Sequence, residues 1–298
     1  MDPELEAFVP FFPRTDLTDP VTARKNFGQL AAAVPVPDTT DMEVEDHTVP
    51  ADSPVPVRVY RPHQAQGAVV WLHGGGFLMG DLDTEHPWAA RIAASSGAVV
   101  ISVGYRLAPE HPYPAALDDA YAVLEWAVAH AAELGVEPDR IAIGGHSAGA
   151  NLAAAVTLWA RDRQGPLIRF QLLNQPGLDD RQDSWSAVKF TDTPWFYREK
   201  LTASWRYYLG GGPATPYAAP ARAENLTGLP PAYLATAEFD PNRDEGIAYA
   251  LRLLQAGVSV EIHQWPGTFH GSQAILSAEV SQRQNAELGA VLRRALAG

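Results

Sequence analysis

The sequence of 298 residues contains no cysteine, which excludes disulfides, thiolate metal sites and cysteine nucleophiles and leaves the redox compartment unread. No stretch approaches the roughly 18 consecutive apolar residues that a membrane-spanning helix requires. The segment Met1 to Glu6 is acidic and lacks the basic start and apolar centre of a secretion signal, so a cytoplasmic location without stable membrane insertion is expected. Lys and Arg never gather into a run that could track phosphates, and the formal net charge is -13; nucleic acid is therefore not an expected partner. No His or acidic cluster has ligand spacing, so neither a metal nor a cofactor is expected. Internal repeats and low-complexity tracts are also missing.

What is present is an ordinary globular composition, 46% hydrophobic and 19% charged, in a length that suits one domain, 1–298, with some elaboration. The oligomeric state stays open, with a homodimer among the alternatives. From Ala68 onward short apolar runs alternate with helical patterns, which predicts an α/β fold with a mostly parallel central sheet and helices on both faces. The expected strands are 68–72, 98–103, 140–143, 168–173, 232–236 and 258–262, all short and rich in apolar or β-branched residues, as strands buried on both faces should be. Upstream, 42–49 and 55–60 read as two edge strands, with Pro54 and Pro56 tolerable only there or in the turn between them. Helical spacing covers 115–130 through Leu117, Tyr121, Leu124 and Val128, with Pro114 suited to the first turn. It covers 148–161 through Leu152, Ala155, Val156 and Trp159, and the C-terminus through Leu288, Val291, Leu292 and Ala295. Two regions break the alternation, about 1–40 and about 181–212. Both are rich in aromatics, and insertions of this kind are expected to form a helical cap.

The strongest chemical signal is Gly145-His146-Ser147-Ala148-Gly149 between an expected strand and an expected helix. A nucleophilic serine must project from a tight strained turn, and flanking glycines remove the side chains that would collide there. The helix beginning at Ala148 then points its N-terminal dipole at the reacting centre. The second signal is His73-Gly74-Gly75-Gly76-Phe77. Its glycines expose backbone N–H groups, so Gly75 and Gly76 are expected to join Ala148 in an oxyanion hole. A phosphate loop is disfavoured, because Gly-x-Gly-x-x-Gly spacing is absent and no Lys-Ser/Thr follows. His73 is expected to bond the loop backbone. Third, Asp240 follows the strand 232–236 and His270 follows the strand 258–262. The order Ser147, Asp240, His270 is the one this architecture demands of nucleophile, acid and base, and all three fall at the C-terminal edge of the sheet.

Taken together, His73 to Gly76, Tyr105-Arg106-Leu107-Ala108-Pro109-Glu110, Gly145 to Gly149 and Asp240-Pro241-Asn242-Arg243-Asp244 resemble the hormone-sensitive-lipase-like bacterial carboxylesterases of the α/β-hydrolase fold. The resemblance spans about residues 40–298. It implies hydrolysis of small esters, of short to medium acyl chain, with Asp240 as the acid and a helical cap built from the N-terminus and a mid-chain insertion. The sequence departs from the family pattern at His146, where Asp is frequent, at Ala150, where Gly is frequent, and at Ser272, where Phe is common. These departures bear on the shape of the acyl pocket.

Less dramatic roles stand beside these. Asp244 is a rival acid but is better placed to stabilise the following helix. Glu238 is expected to pack or to hydrogen-bond, and Arg106 and Glu110 to brace the site. His146 is either a supporting group or a substrate contact. Phe77, Phe239, Trp195 and Trp205 are candidates for the substrate pocket, although large aromatics more often fill cores. Ala7 to Pro13 fits packing in the cap better than docking on lipid, since no basic residues accompany it. An amidase or acyltransferase uses the same constellation, and a non-catalytic receptor of this fold is disfavoured by the retained His270.

Overall fold

In the computed structural model, residues 1–12 and 16–297 are described; Pro13, the end of the aromatic N-terminal stretch, lies outside them. The chain begins with helices α1 (Pro3–Glu6) and α2 (Pro20–Ala31), then strands β1 (Met42–Val49), β2 (Val55–Pro62) and β3 (Ala68–Leu72). Helix α3 (Leu82–Ser96), strand β4 (Val99–Val103), helices α4 (Ala115–Ala129) and α5 (Ala131–Leu134), strand β5 (Ile141–His146) and helix α6 (Ala148–Asp162) form the middle. Strand β6 (Gln171–Asn174) leads into helices α7 (Trp185–Lys189) and α8 (Arg198–Leu209). Strand β7 (Ala232–Phe239), helix α9 (Arg243–Gln255), strand β8 (Val260–Phe269) and helix α10 (Glu279–Leu296) complete the fold.

The strands form one sheet in the order β1-β2-β4-β3-β5-β6-β7-β8. From β4 to β8 every pairing is parallel, whereas β2 is antiparallel to both β1 and β4. Side chains alternate across the sheet, as the two-residue period requires. Val70, Leu72, Ile101, Ile143 and Leu173 meet α4 and α6 on one face, while Val69, Trp71, Val100, Ala142 and Leu172 meet α3 and α10 on the other. Among the described residues no helix is long and apolar enough to cross a membrane.

Three expectations need correction. β2 is not an edge strand: its segment Val57–Tyr60 pairs with β4, and Pro56 precedes those rungs while its carbonyl accepts from the Gly104 N–H at 2.9 Å. Helix α6 buries far more than one side, including Ala150, Ala153, Ala154 and Ala155, because it runs through the middle of one layer, where small side chains permit close approach. Strands β7 and β8 run on to Phe239 and Phe269, past a register irregularity between Ala237 and Phe239. An edge strand absorbs Pro266 and Gly267 in this way because no further strand has to pair with it; the Gly267 carbonyl accepts from the Asp2 N–H at 2.9 Å instead.

Those extensions position the site. Phe239 pairs with Phe269, so Asp240 and His270 emerge side by side as the next residues of adjacent strands. Leu72 pairs with Gly145, which sets the glycine loop after β3 beside the turn after β5. The chain passes from β3 outward to β4 and then returns to β5 on the other side. The gap between those connections is the topological switch point where α/β sheets bind ligands.

Candidate active site

Ser147 stands between β5 and α6 with φ 57° and ψ −114°. A non-glycine residue held there carries about 1–3 kcal/mol of strain, which surrounding contacts must offset. Its N–H donates to the Asn174 carbonyl at 2.9 Å, and its carbonyl accepts from the Asn151 N–H at 3.0 Å. Glycine is required on both sides by packing: a Cβ on Gly145 would lie 2.5 Å from the Leu72 carbonyl oxygen, and one on Gly149 would collide with that same oxygen.

The Ser147 hydroxyl lies 2.9 Å from His270 Nε2. On the far side of the ring, His270 Nδ1 lies 2.7 Å from Asp240 Oδ2, while Asp240 Oδ1 accepts from the Asn242 N–H at 2.9 Å. A carboxylate only accepts, so the Nδ1 proton sits on His270 and leaves Nε2 free to receive the serine proton. Ser147, His270 and Asp240 are only 6%, 3% and 1% exposed, which keeps water from loosening the relay. Asp244 is elsewhere. Its Oδ2 accepts from the Ser186 N–H at 2.8 Å, fastening α7 to the start of α9. Glu238 accepts from the Gly267 N–H at 2.6 Å.

The loop after β3 turns through Gly75 (φ 120°) and Gly76 (φ 63°), conformations that favour glycine. Among the described residues neither the Gly75 nor the Gly76 N–H has an acceptor, and both residues line the cavity that holds Ser147 and His270. His73 braces the loop from behind. Its Nδ1–H donates to the Gly74 carbonyl at 2.7 Å, and its ring stacks on Tyr105 with centroids 4.0 Å apart. Burial pulls its pKa down to about 4, so it is a neutral strut. Arg106 holds the buried Asp119 at 2.7 Å, and Glu110 pairs with Arg24 of α2 at 2.6 Å.

The cavity has a volume of about 460 Å³, and its walls are mainly apolar, within the range of small-molecule sites. Phe12, Phe27 and Leu30 come from the N-terminal segment, Trp195 and Phe196 from the segment before α8, and Trp71, Trp88 and Ile92 from the β3–α3 side. Of the aromatic pocket candidates, Trp195 reaches this wall and Phe77, Trp205 and Phe239 do not. Phe77, at φ 65°, turns away to stack on Tyr208 at 3.8 Å, and Trp205 packs beside them. Phe239 faces Phe190 at 6.3 Å. Of the exposed apolar N-terminal residues, Phe11 is 77% exposed, while Phe12 packs edge-on against Phe269 at 5.5 Å.

His146 lines the cavity with its ring 5.3 Å from that of His270. Burial, reinforced by the neighbouring His270, pulls its pKa down to about 3, so it stays uncharged. Gln273 Nε2 and Asn174 Nδ2 approach its Nδ1 at 3.2 and 3.3 Å. Among the described residues no group of His and acidic side chains could hold a metal ion.

Several site residues carried no signal in the sequence. Arg24 clamps α2 to the glycine loop through the Leu78 carbonyl at 2.7 Å and to the Ala108 carbonyl at 2.9 Å. Gln175 accepts from the Gly271 N–H at 2.8 Å and so fixes the residue after His270. Phe196 lays its ring 4.6 Å from that of His270. Glu85 is a buried carboxyl in the cavity wall, and burial pushes its pKa up to about 8 against the opposing hydrogen bond from Trp71. These contacts join segments far apart in the chain, which no local spacing encodes.

A sequence profile described as "alpha/beta hydrolase fold" matches residues 69–274. The chain belongs to this family, in its hormone-sensitive-lipase-like branch. It is similar to Carboxylesterase NlhH of Mycobacterium tuberculosis, with 41% identity over 91% of this chain and 88% of the relative. Similarity to Arylesterase of Saccharolobus solfataricus is 32% over 98% of each chain. Among solved structures, Bacterial Heroin Esterase superposes with a TM-score of 0.96 and 44% identity, covering 100% of this chain and 98% of that one.

Proposed function

We propose that this family member is a serine carboxylesterase acting on small esters of short to medium acyl chain, through Ser147, His270 and Asp240. The observation that carries the reading is the unbroken line Ser147–His270–Asp240, at 2.9 and 2.7 Å, buried beside two unengaged loop N–H groups. The esterase names of the relatives agree with it.

In this reading neutral His270 takes the Ser147 proton through Nε2 as the oxygen attacks the ester carbonyl, and the Asp240 carboxylate stabilises the imidazolium. The N–H groups of Gly75, Gly76 and Ala148 receive the oxyanion, each such donor contributing about 10²–10³ in turnover. Protonated His270 then gives its proton to the departing alcohol. Water, deprotonated by the same imidazole, releases the acid from the acyl-serine. The residues 1–40 and 181–212 act as the cap over a single domain, 1–298. Trp195, Phe196 and His146 on the cavity wall meet the substrate, and Trp205 of the cap supports them, packed against Phe77 of the glycine loop.

Hydrolysis of p-nitrophenyl esters from acetate to long chains, run beside Ser147→Ala, tests the proposal. Activity that the variant lacks, declining as the chain outgrows the cavity, is the expected result. Equal rates in both proteins would sink the nucleophile assignment.

A further inference from the structure

Glu85 sits in the first turn of α3, just after the capping box in which the Asp81 side chain accepts from the Thr84 N–H and Thr84 Oγ accepts from the Asp81 N–H. A carboxylate at that place would ordinarily reach solvent and favour the helix N-terminus. Instead it is 7% exposed and faces the cavity that contains Ser147. Trp71 Nε1 donates to its Oε1 at 2.6 Å, and among the described residues no cation pairs with it.

An isolated carboxyl in an apolar wall is costly, and binding the Trp71 indole does not require an acid, because an amide oxygen accepts the same bond. The cations that also line the cavity are engaged elsewhere. Arg91 donates to the Pro35 carbonyl at 2.9 Å and lies 5.9 Å from the centroid of the Trp88 ring, while Lys200 donates to the Trp195 carbonyl at 2.7 Å. Trp71 and Trp88 both belong to the wall around Glu85. A carboxyl in a wall that also carries the Trp88 indole offers an alkylammonium an opposite charge beside an aromatic surface.

We propose that Glu85, with Trp71 and Trp88, forms a subsite for a protonated amine carried by the ester substrate, so that amine-bearing esters are the favoured class. The preference for such esters rests on the esterase reading of Ser147; the cation subsite itself does not. Burial raises the Glu85 pKa to about 8, so the carboxyl carries its proton at neutral pH. Binding an ammonium therefore displaces that proton to solvent and leaves a carboxylate–ammonium pair, with charge and protons balanced.

The test compares dimethylaminoethyl acetate with its uncharged carbon isostere, isopentyl acetate, at neutral pH in wild type and Glu85→Gln. Wild type is expected to favour the amine ester, and the ratio of the two kcat/KM values is expected to fall about tenfold or more in the variant, the factor that about 1.4 kcal/mol of lost attraction produces. Glutamine keeps an acceptor for Trp71, and should the variant fail to fold, the wild-type preference still decides. A second readout needs no hydrolysis: binding of butyltrimethylammonium followed by tryptophan fluorescence, with the uncharged isostere as control. Saturable binding that Glu85→Gln weakens supports the subsite even if neither ester is turned over, a result that would count against Ser147 alone. Equal kcat/KM for the two esters where wild type hydrolyses them, or no ammonium binding, overturns the proposal.

Discussion

Replacing Asp240 by Asn changes one atom and inverts the proton bookkeeping of the site. The Asn242 N–H needs an acceptor where Oδ1 now stands, 2.9 Å away, so the amide oxygen of the variant stays there and the NH₂ takes the place of Oδ2. That NH₂ faces His270 Nδ1 at the 2.7 Å now occupied by an N–H···O bond. Two donors cannot share the contact, so the ring proton moves to Nε2, which then cannot receive the proton of Ser147. The corresponding change in a Ser–His–Asp site lowers kcat by about 10⁴, equivalent to about 5 kcal/mol of transition-state stabilisation. The assay is kcat/KM on p-nitrophenyl acetate, with a thermal melt to establish that the isosteric variant is folded. Asp244→Asn is the control: it disturbs the Ser186 N–H contact at 2.8 Å but no proton of the relay, and should remain within about tenfold of wild type. A folded Asp240→Asn enzyme within about tenfold of wild type would refute the tautomer argument.

Further expectations follow from the same contacts. Gly149→Ala should gain about 1 kcal/mol of helix propensity yet lose about 3 kcal/mol or more overall, because its Cβ meets the Leu72 carbonyl; a variant as stable as wild type in urea would contradict the close approach of α6 to β3. Glu85→Gln should change the pH dependence of stability. The folded carboxyl, raised from 4.5 to about 8, contributes stability that is complete below about pH 4.5 and lost as pH climbs toward 8, a swing of up to about 5 kcal/mol. The variant should therefore gain on wild type from pH 5 to 8 in denaturant titrations, and a constant difference would show that Glu85 is ionised in the fold. Arg24→Ala removes the clamp on the Leu78 and Ala108 carbonyls and should cost about 1–3 kcal/mol, with faster proteolysis within α2; unchanged cleavage would argue that α2 is held by its apolar contacts alone.

Ser147, His270 and Asp240, the residues proposed as nucleophile, base and acid, could be singled out in the sequence because each obeys a local rule. Gly145 and Gly149 flank a turn that tolerates nothing larger, and Asp240 and His270 each fall in the segment after an expected strand, 232–236 and 258–262. The α/β architecture was legible for the same reason, through short buried runs such as Ala68–Leu72 and Val99–Val103. Strand ends were harder. Ala237-Glu238-Phe239 and Trp265-Pro266-Gly267 look like loop, yet β7 and β8 continue through them because β8 is the last strand of the sheet and need not pair with a further one. That continuation, which ends in the pairing of Phe239 with Phe269, is what places Asp240 beside His270.

The selectivity of the cavity was not legible, and the reason is the same in each case. Phe77, Trp205 and Trp195 have similar composition and lie near the same signals, but the φ of 65° at Phe77 sends its ring onto Tyr208, while Trp195 meets the cavity. Glu85 is the sharpest instance. In the sequence it is one of two acids in the first turn of a helix, where a negative charge is welcome. Only the packing of α3 against β2 and β4 turns it inward, sets it against Trp71, and leaves a cationic partner to be supplied from outside. Chemistry that depends on adjacency along the chain can be read from the chain. Recognition at this site depends on which distant segments meet, so the ligand that completes Glu85 is to be sought in the fold.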